Sequence, residues 1–231
     1  MLACSVDKHF RWWVTAAAAL VLAGIAVVIS AHVFHHGRLW GLTRLFDLNS
    51  EGNIPSWFSS MSLLILAMLL WDIGSRSPEA GPLRTSRWRI LSAVFVFFSI
   101  DESAQVHELC SRVLRGLLHT DGVLYYVWVL PAFIGVLALG VWYLPFWIAL
   151  PARTRARVAC AVVVYVGGAL GIELIGGIYA TGGMRNSSVY AAWTIVEETL
   201  ELTGMLLLLR ALADHGVRLP DTTEVPSIPR R

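Results

Sequence analysis

The chain has 231 residues, of which 56% are hydrophobic and 15% charged, with a formal net charge of +2 at pH 7 and a mean hydropathy of +0.64. That is too apolar for a domain solvated by water, and its basic residues sit between apolar runs, which points to membrane lipids as partners and to no nucleic acid. Cys4, Cys110 and Cys160 form neither a CxxC pair nor a ligand-spaced set, so they exclude a disulfide scaffold and a thiolate metal site and read as small packing residues.

Repeated apolar runs joined by short polar segments predict an all-α polytopic transmembrane helix bundle of about six spans. One membrane domain covers residues 1–217, and a short disordered cytoplasmic tail with three prolines covers 218–231. The expected spans are 12–34, 55–73, 88–108, 124–150, 158–180 and 190–212. The first follows Lys8 and Arg11 but is too long for the apolar region of a signal peptide, so it is expected to be retained. Trp12, Trp13, Trp57, Trp71, Trp88, Trp128 and Trp147 fall near span ends, as interfacial belts require. With the N-terminus inside, 13 of the 18 Lys and Arg residues face the cytoplasm. This puts both termini on the cytoplasmic side of a bacterial-type inner membrane.

At the outer end of the first span, His32, His35 and His36 have the i, i+3, i+4 spacing of one helix face, which reads first as interfacial and second as a metal-binding trio. The next loop, Asp47 to Asn53, echoes the first half of a calcium loop. It lacks the bidentate acid, since Phe58 stands in its place, so an EF-hand is rejected. It reads as a polar turn leading into a helix with Pro55 near its start, and Asp47, Asn49, Glu51 and Asn53 are candidates for an oxygen-rich lid.

The third span becomes acidic before it ends, in Ser99-Ile-Asp-Glu-Ser-Ala-Gln-Val-His-Glu108. For a helix continuing toward Leu118, Asp101, Gln105, Glu108 and Arg112 share one inward stripe, with Glu102 at its flank and His107 turned away. In the fifth span Glu173 stands among five glycines, which permit close helix approach. The sixth carries Glu197, Glu198 and Glu201 with no Lys or Arg within a turn. Counting about 1.5 Å per residue from the flanking arginines places Asp101, Glu173 and Glu197 about 20–24 Å above the cytoplasmic edge, at similar levels on three helices. Each acid at a helix centre costs roughly 2.5–3.5 kcal/mol to insert, so protons, a metal or side chains of other helices must neutralise them.

In chain order, D-L-N-S-E-G-N-I-P-S-W-F-S-S from Asp47 to Ser60, then Asp101-Glu…His-Glu108, then Glu197-Glu-x-x-Glu201, resembles an uncharacterised group of bacterial multispan membrane proteins, a resemblance that implies no activity. Three families with known chemistry fit less well. Glu197-Glu198 starts the EExxxR motif of CAAX proteases, but Leu202 replaces the Arg; ferritin-like ExxH pairs are missing near the acids; and the HxxxH spacing of alkaline ceramidases occurs only at His32 and His36, in the first span.

The expected function is therefore an outward-facing intramembrane site for a divalent metal ion held by Asp101, Glu102, Glu108, Glu173, Glu197 and Glu201. In its catalytic form it acts on a lipidic substrate, with His107 and Glu198 moving protons. The alternatives are a cation- or proton-coupled transporter using the same acids, and a partner-binding membrane subunit. The inner half offers little polarity beyond Asp72, which favours a site opening outward over a continuous path.

Overall fold

The computed structural model describes residues 2–35, 41–76 and 82–219, with backbone alone for 2–6 and 82–84. Among these the chain is entirely helical: α1 (Leu2–His32), α2 (Leu42–Phe46), α3 (Ile54–Ser75), α4 (Pro82–Ala104), α5 (Val106–Leu118), α6 (Val129–Ile148), α7 (Ala152–Val166), α8 (Glu173–Thr181) and α9 (Ser188–Gly216). A π-helical segment, Gly167–Ile172, joins α7 to α8 without a turn. His36 and residues 220–231 of the expected tail lie outside the described residues.

Four stretches are long and apolar enough to cross a membrane: Asp7–His32, Ile54–Ser75, Val129–Ile148 and Ala152–Thr181. The expected count of six is not reached by apolarity. The 23-residue α4 and the 29-residue α9 have the length, but they carry the acids and arginines that lower their hydropathy. The outward faces support a lipid environment, since Trp12, Leu22, Ile134, Val141 and Val163 are all more than 60% exposed, an arrangement water would penalise.

The core lies between α1, α3, α4, α6 and α9, where Leu63, Leu66, Leu70, Ile73, Leu202 and Leu212 are buried together. Apolar packing has no special driving force between helices in lipid, so close approach and hydrogen bonds do more of the work. On α3 and α4 this falls to serines. Ser60 donates to the Ser99 carbonyl at 2.8 Å, Ser99 donates back to the Ser60 carbonyl at 2.9 Å, and Ser92 donates to the Ala67 carbonyl at 2.7 Å. On α7 and α9 it falls to glycine: a Cβ on Gly204 would stand 2.6 Å from Tyr165 Cβ and 2.7 Å from its backbone.

Several expectations about individual residues are corrected. Trp88 is buried, edge-on to Phe146, and Trp13 stacks on Phe58 and donates to Ser62 at 3.0 Å. Both belong to the core and not to an interfacial belt. Trp12, Trp57 and Trp71 are exposed, as a belt requires. Cys110 and Cys160 are exposed instead of packed, because each falls on the outer face of its helix. His32 and His35 do not share a helical face: α1 ends at His32, and His35 stands beyond it with φ 55°, which breaks the helical phase that the spacing assumed.

The correction with most consequence is at Gln105. The helix expected to run unbroken to Leu118 stops at Ala104, Gln105 takes a left-handed conformation (φ 57°, ψ 40°), and α5 starts afresh. A left-handed residue redirects the chain, so the 100° count does not carry across it and every residue after 105 faces elsewhere than predicted.

Candidate functional site

The acids of α4, α8 and α9 and the loop before α3 converge at one end of the bundle. The loop arrives there because its turn is closed locally. Asp47 accepts the Asn49 amide at 3.0 Å and the Ser50 hydroxyl at 2.8 Å, and Gly52 supplies the positive φ of 71° that the turn needs. Asn53 then caps α3: its side chain accepts the Ser56 amide, while the Ser56 hydroxyl accepts the Asn53 amide. Pro55 follows in the first turn of the helix, where its missing N–H costs nothing. Two longer contacts fix the loop on the bundle. Leu48 is buried over Gly24 of α1, where a Cβ would come within 2.5 Å of it, and Asn49 accepts the Thr194 hydroxyl of α9 at 3.3 Å.

The loop thereby delivers Glu51 into the site. His107 stands between two carboxylates, with Nε2 at 3.1 Å from Glu51 Oε1 and Nδ1 at 3.1 Å from Asp101 Oδ2. Asp101 Oδ1 also accepts the His107 amide at 2.8 Å, so Asp101 closes the Gln105 turn and orients the imidazole at once. α5 lies beyond the end of the α4 segment, and His107 is pushed up to about 11. Burial alone would lower it, but the bonds to Asp101 and Glu51 and their charges more than offset that. The second oxygen of Glu51, Oε2, is buried without a hydrogen-bond partner among the described residues.

Behind this triad lie the deeper acids. Glu173 opens α8 directly after the π-helical segment, a feature that often marks functional positions. Its Oε1 accepts Trp128 Nε1 at 3.1 Å, and the Trp128 ring packs 4.9 Å from His107. The Glu173 and Glu197 carboxyls hydrogen-bond each other. Two carboxylates this close are stable together only when a proton or a cation offsets their charge. Glycine allows the approach, because a Cβ on Gly168 would stand 3.0 Å from the Glu197 carbonyl and 3.2 Å from Glu201 Cγ. Glu102, Glu198 and Glu201 are half-buried and interact through their charges with Glu51 and with one another. Tyr165 lies within range of the same carboxylates.

Of the predicted metal ligands, Asp101, Glu102, Glu173, Glu197 and Glu201 are therefore brought together, along with Glu198. Glu108 stands at the edge: it is exposed on α5, pairs with Arg112 at 3.2 Å and acts on Glu173 only through its charge. His107, expected to point away, is the hub. The Gln105 break explains both reversals. Among the described residues, no three His, Cys, Asp or Glu side chains are grouped so as to hold a metal ion. Of the loop, Glu51 is part of the cluster itself, Asn49 tethers the loop to α9, and Asp47 and Asn53 hold its shape. Sequence reasoning missed Trp128, assigned to an interface, and Tyr165. The glycine packed against Tyr165 is Gly204 of α9, a contact between helices that the sequence does not display.

A family model for a domain of unknown function, DUF8692, matches residues 12–215. No curated protein and no solved structure matches the chain. The matched stretch takes in the Glu51 loop, His107 and all three acid-bearing helices, and the chain belongs to the DUF8692 family.

Proposed function

We propose that this chain is a six-span protein of a bacterial-type inner membrane, with both termini cytoplasmic, whose acid cluster binds and releases protons toward the outer side. The four apolar helices, the length of α4 and α9 and the bias of arginine toward one set of joints support that topology. Its role is that of the coupling site of a proton- or cation-linked transporter.

One observation carries this reading: the Glu173 and Glu197 carboxyls face each other behind a His107 bracketed by Glu51 and Asp101 at 3.1 Å each. Several like charges in a low-dielectric setting are tolerable only when protons or cations offset them. A histidine held between two carboxylates gives the outer entrance a group that can pass a proton inward. Trp128 touches both parts, through Glu173 and through the His107 ring, and ties them into one unit.

A second reading is a divalent cation that would draw Glu51, Glu102, Glu198 and Glu201 closer together than they stand here, used structurally or on a lipidic substrate. The buried, unpartnered Glu51 Oε2 favours it, since a cation would satisfy that oxygen. Infrared spectroscopy of purified protein in lipid, paired with elemental analysis before and after chelator, separates the two. The proton reading expects a protonated-carboxyl band at neutral pH that weakens in Glu197→Gln, with metal at background. Stoichiometric metal that falls in Glu201→Gln, with no such band in the wild type, overturns it in favour of the cation.

A further inference from the structure

α5 is built inside out for a helix in water. Leu109, Val113 and Leu117, one turn apart, are 55%, 56% and 70% exposed, and Cys110 shares their face. The opposite face carries His107 and Ser111; Ser111 is buried and His107 is locked to Asp101 and Glu51. The polar side faces protein, and the apolar side faces out.

We propose that α5 lies flat in the lipid interface at the acid-cluster end, with its apolar face seated at the boundary of headgroups and acyl chains. Three features of the molecule choose lipid as the occupant. The first is length: counted from Arg87, α4 has risen about 25 Å at 1.5 Å per residue by Ala104, most of a hydrocarbon core of about 30 Å. The 13-residue α5 that begins after it, about 20 Å long, has only a few ångströms of core left. The second is continuity, since Phe97 and Ile100, each 54% exposed on the last turns of α4, bring the lipid-facing surface to the bend at Gln105. The third is charge. Arg112, paired with Glu108, and Arg115, whose guanidinium lies 4.1 Å over the Tyr125 ring, flank the apolar face and give the helix more basic than acidic side chains.

The seating has a consequence for the site. Because His107 rides on the inner side of α5, the lipid surface that holds this helix down also holds the imidazole between Glu51 and Asp101. The bend at Gln105 serves as the hinge of that arrangement. This inference stands whether the cluster binds protons or a cation.

The test uses the full chain with Cys4→Ser and Cys160→Ser, leaving Cys110, reconstituted in vesicles of phosphatidylcholine and phosphatidylglycerol. A nitroxide on Cys110 is expected to be relaxed several-fold more by oxygen, which partitions into lipid, than by a water-soluble nickel chelate. A label introduced by Arg112→Cys, on the polar flank, is expected to reverse that ratio. Equal or greater access of the chelate at position 110 overturns the proposal. So does strong spin–spin broadening between labels at 110, which would make a second copy of the chain the occupant. Val113→Cys and Leu117→Cys repeat the reading should modification at 110 disturb folding.

Discussion

The two ends of the bundle treat charge in opposite ways. At the end where α3 and α9 finish, the acids meet arginines: Asp72 pairs with Arg76, Asp214 with Arg157 and with Arg210 at 3.2 Å, and Arg210 reaches on to Asp7 of α1. Arg76 also donates to the Gly216 carbonyl at 3.0 Å. These pairs staple four helices and leave no net demand. At the other end seven acids, Glu51, Asp101, Glu102, Glu173, Glu197, Glu198 and Glu201, gather around one histidine. Acids that are matched by arginine hold a structure together. Acids gathered around a single imidazole, with no arginine among them, still need their charge offset.

His107→Ala tests the contrast most severely. Removing it strands Glu51 and Asp101, and loss of one partner from a buried ionic group costs about 3–5 kcal/mol, which denaturant unfolding in micelles should read. The pH dependence follows with a definite sign. Folded His107 holds its proton more tightly than the unfolded value of 6.5, so its contribution is complete below that pH and is lost as pH rises through about 11. The wild type should weaken over that window and the variant should show a flatter profile. A loss under about 1 kcal/mol, the size of an exposed pair, would erase the difference between the two ends.

Gly204→Ala sharpens the contrast from the packing side. The added Cβ would meet the Tyr165 backbone at 2.7 Å, and overpacking of this kind costs typically about 1–3 kcal/mol. Because the same α7–α9 contact presents Glu201 and Tyr165 to the cluster, the variant should also change the Glu197-dependent infrared band. An unaltered band alongside lost stability would show that the cluster does not depend on this approach.

Arg157→Ala, at the paired end, should have the smallest effect. Its partner Asp214 keeps Arg210, and both side chains of the pair are partly exposed. A change within about 1 kcal/mol, with the pH profile of the wild type retained, is expected. A pH profile that moved with Arg157 would mean that the two ends are coupled.

Much of the architecture was legible in the residues because it depends on local composition. Apolar runs marked the helices, and the acids inside them marked α4, α8 and α9 as unusual. Pro55 announced the start of α3, while the cap that Asn53 and Ser56 form there was seen only in the structure. The serines of α3 and α4 were overlooked, because a serine in an apolar run has no meaning until a second helix supplies the carbonyl it bonds.

What the sequence determined by itself is which residues are costly to bury and roughly how far along their helices they lie, since both follow from residue chemistry and a fixed rise per residue. Only the tertiary structure decided which of them meet. Gln105 carries no mark of a left-handed break; the bond from Asp101 to the His107 amide closes that turn. The break turned Glu108 outward and His107 inward, and it brought Glu51 within reach of the imidazole from 56 residues away. A helical phase is local information and ends where the helix ends, whereas a charge cluster is a property of contacts that only the assembled bundle supplies.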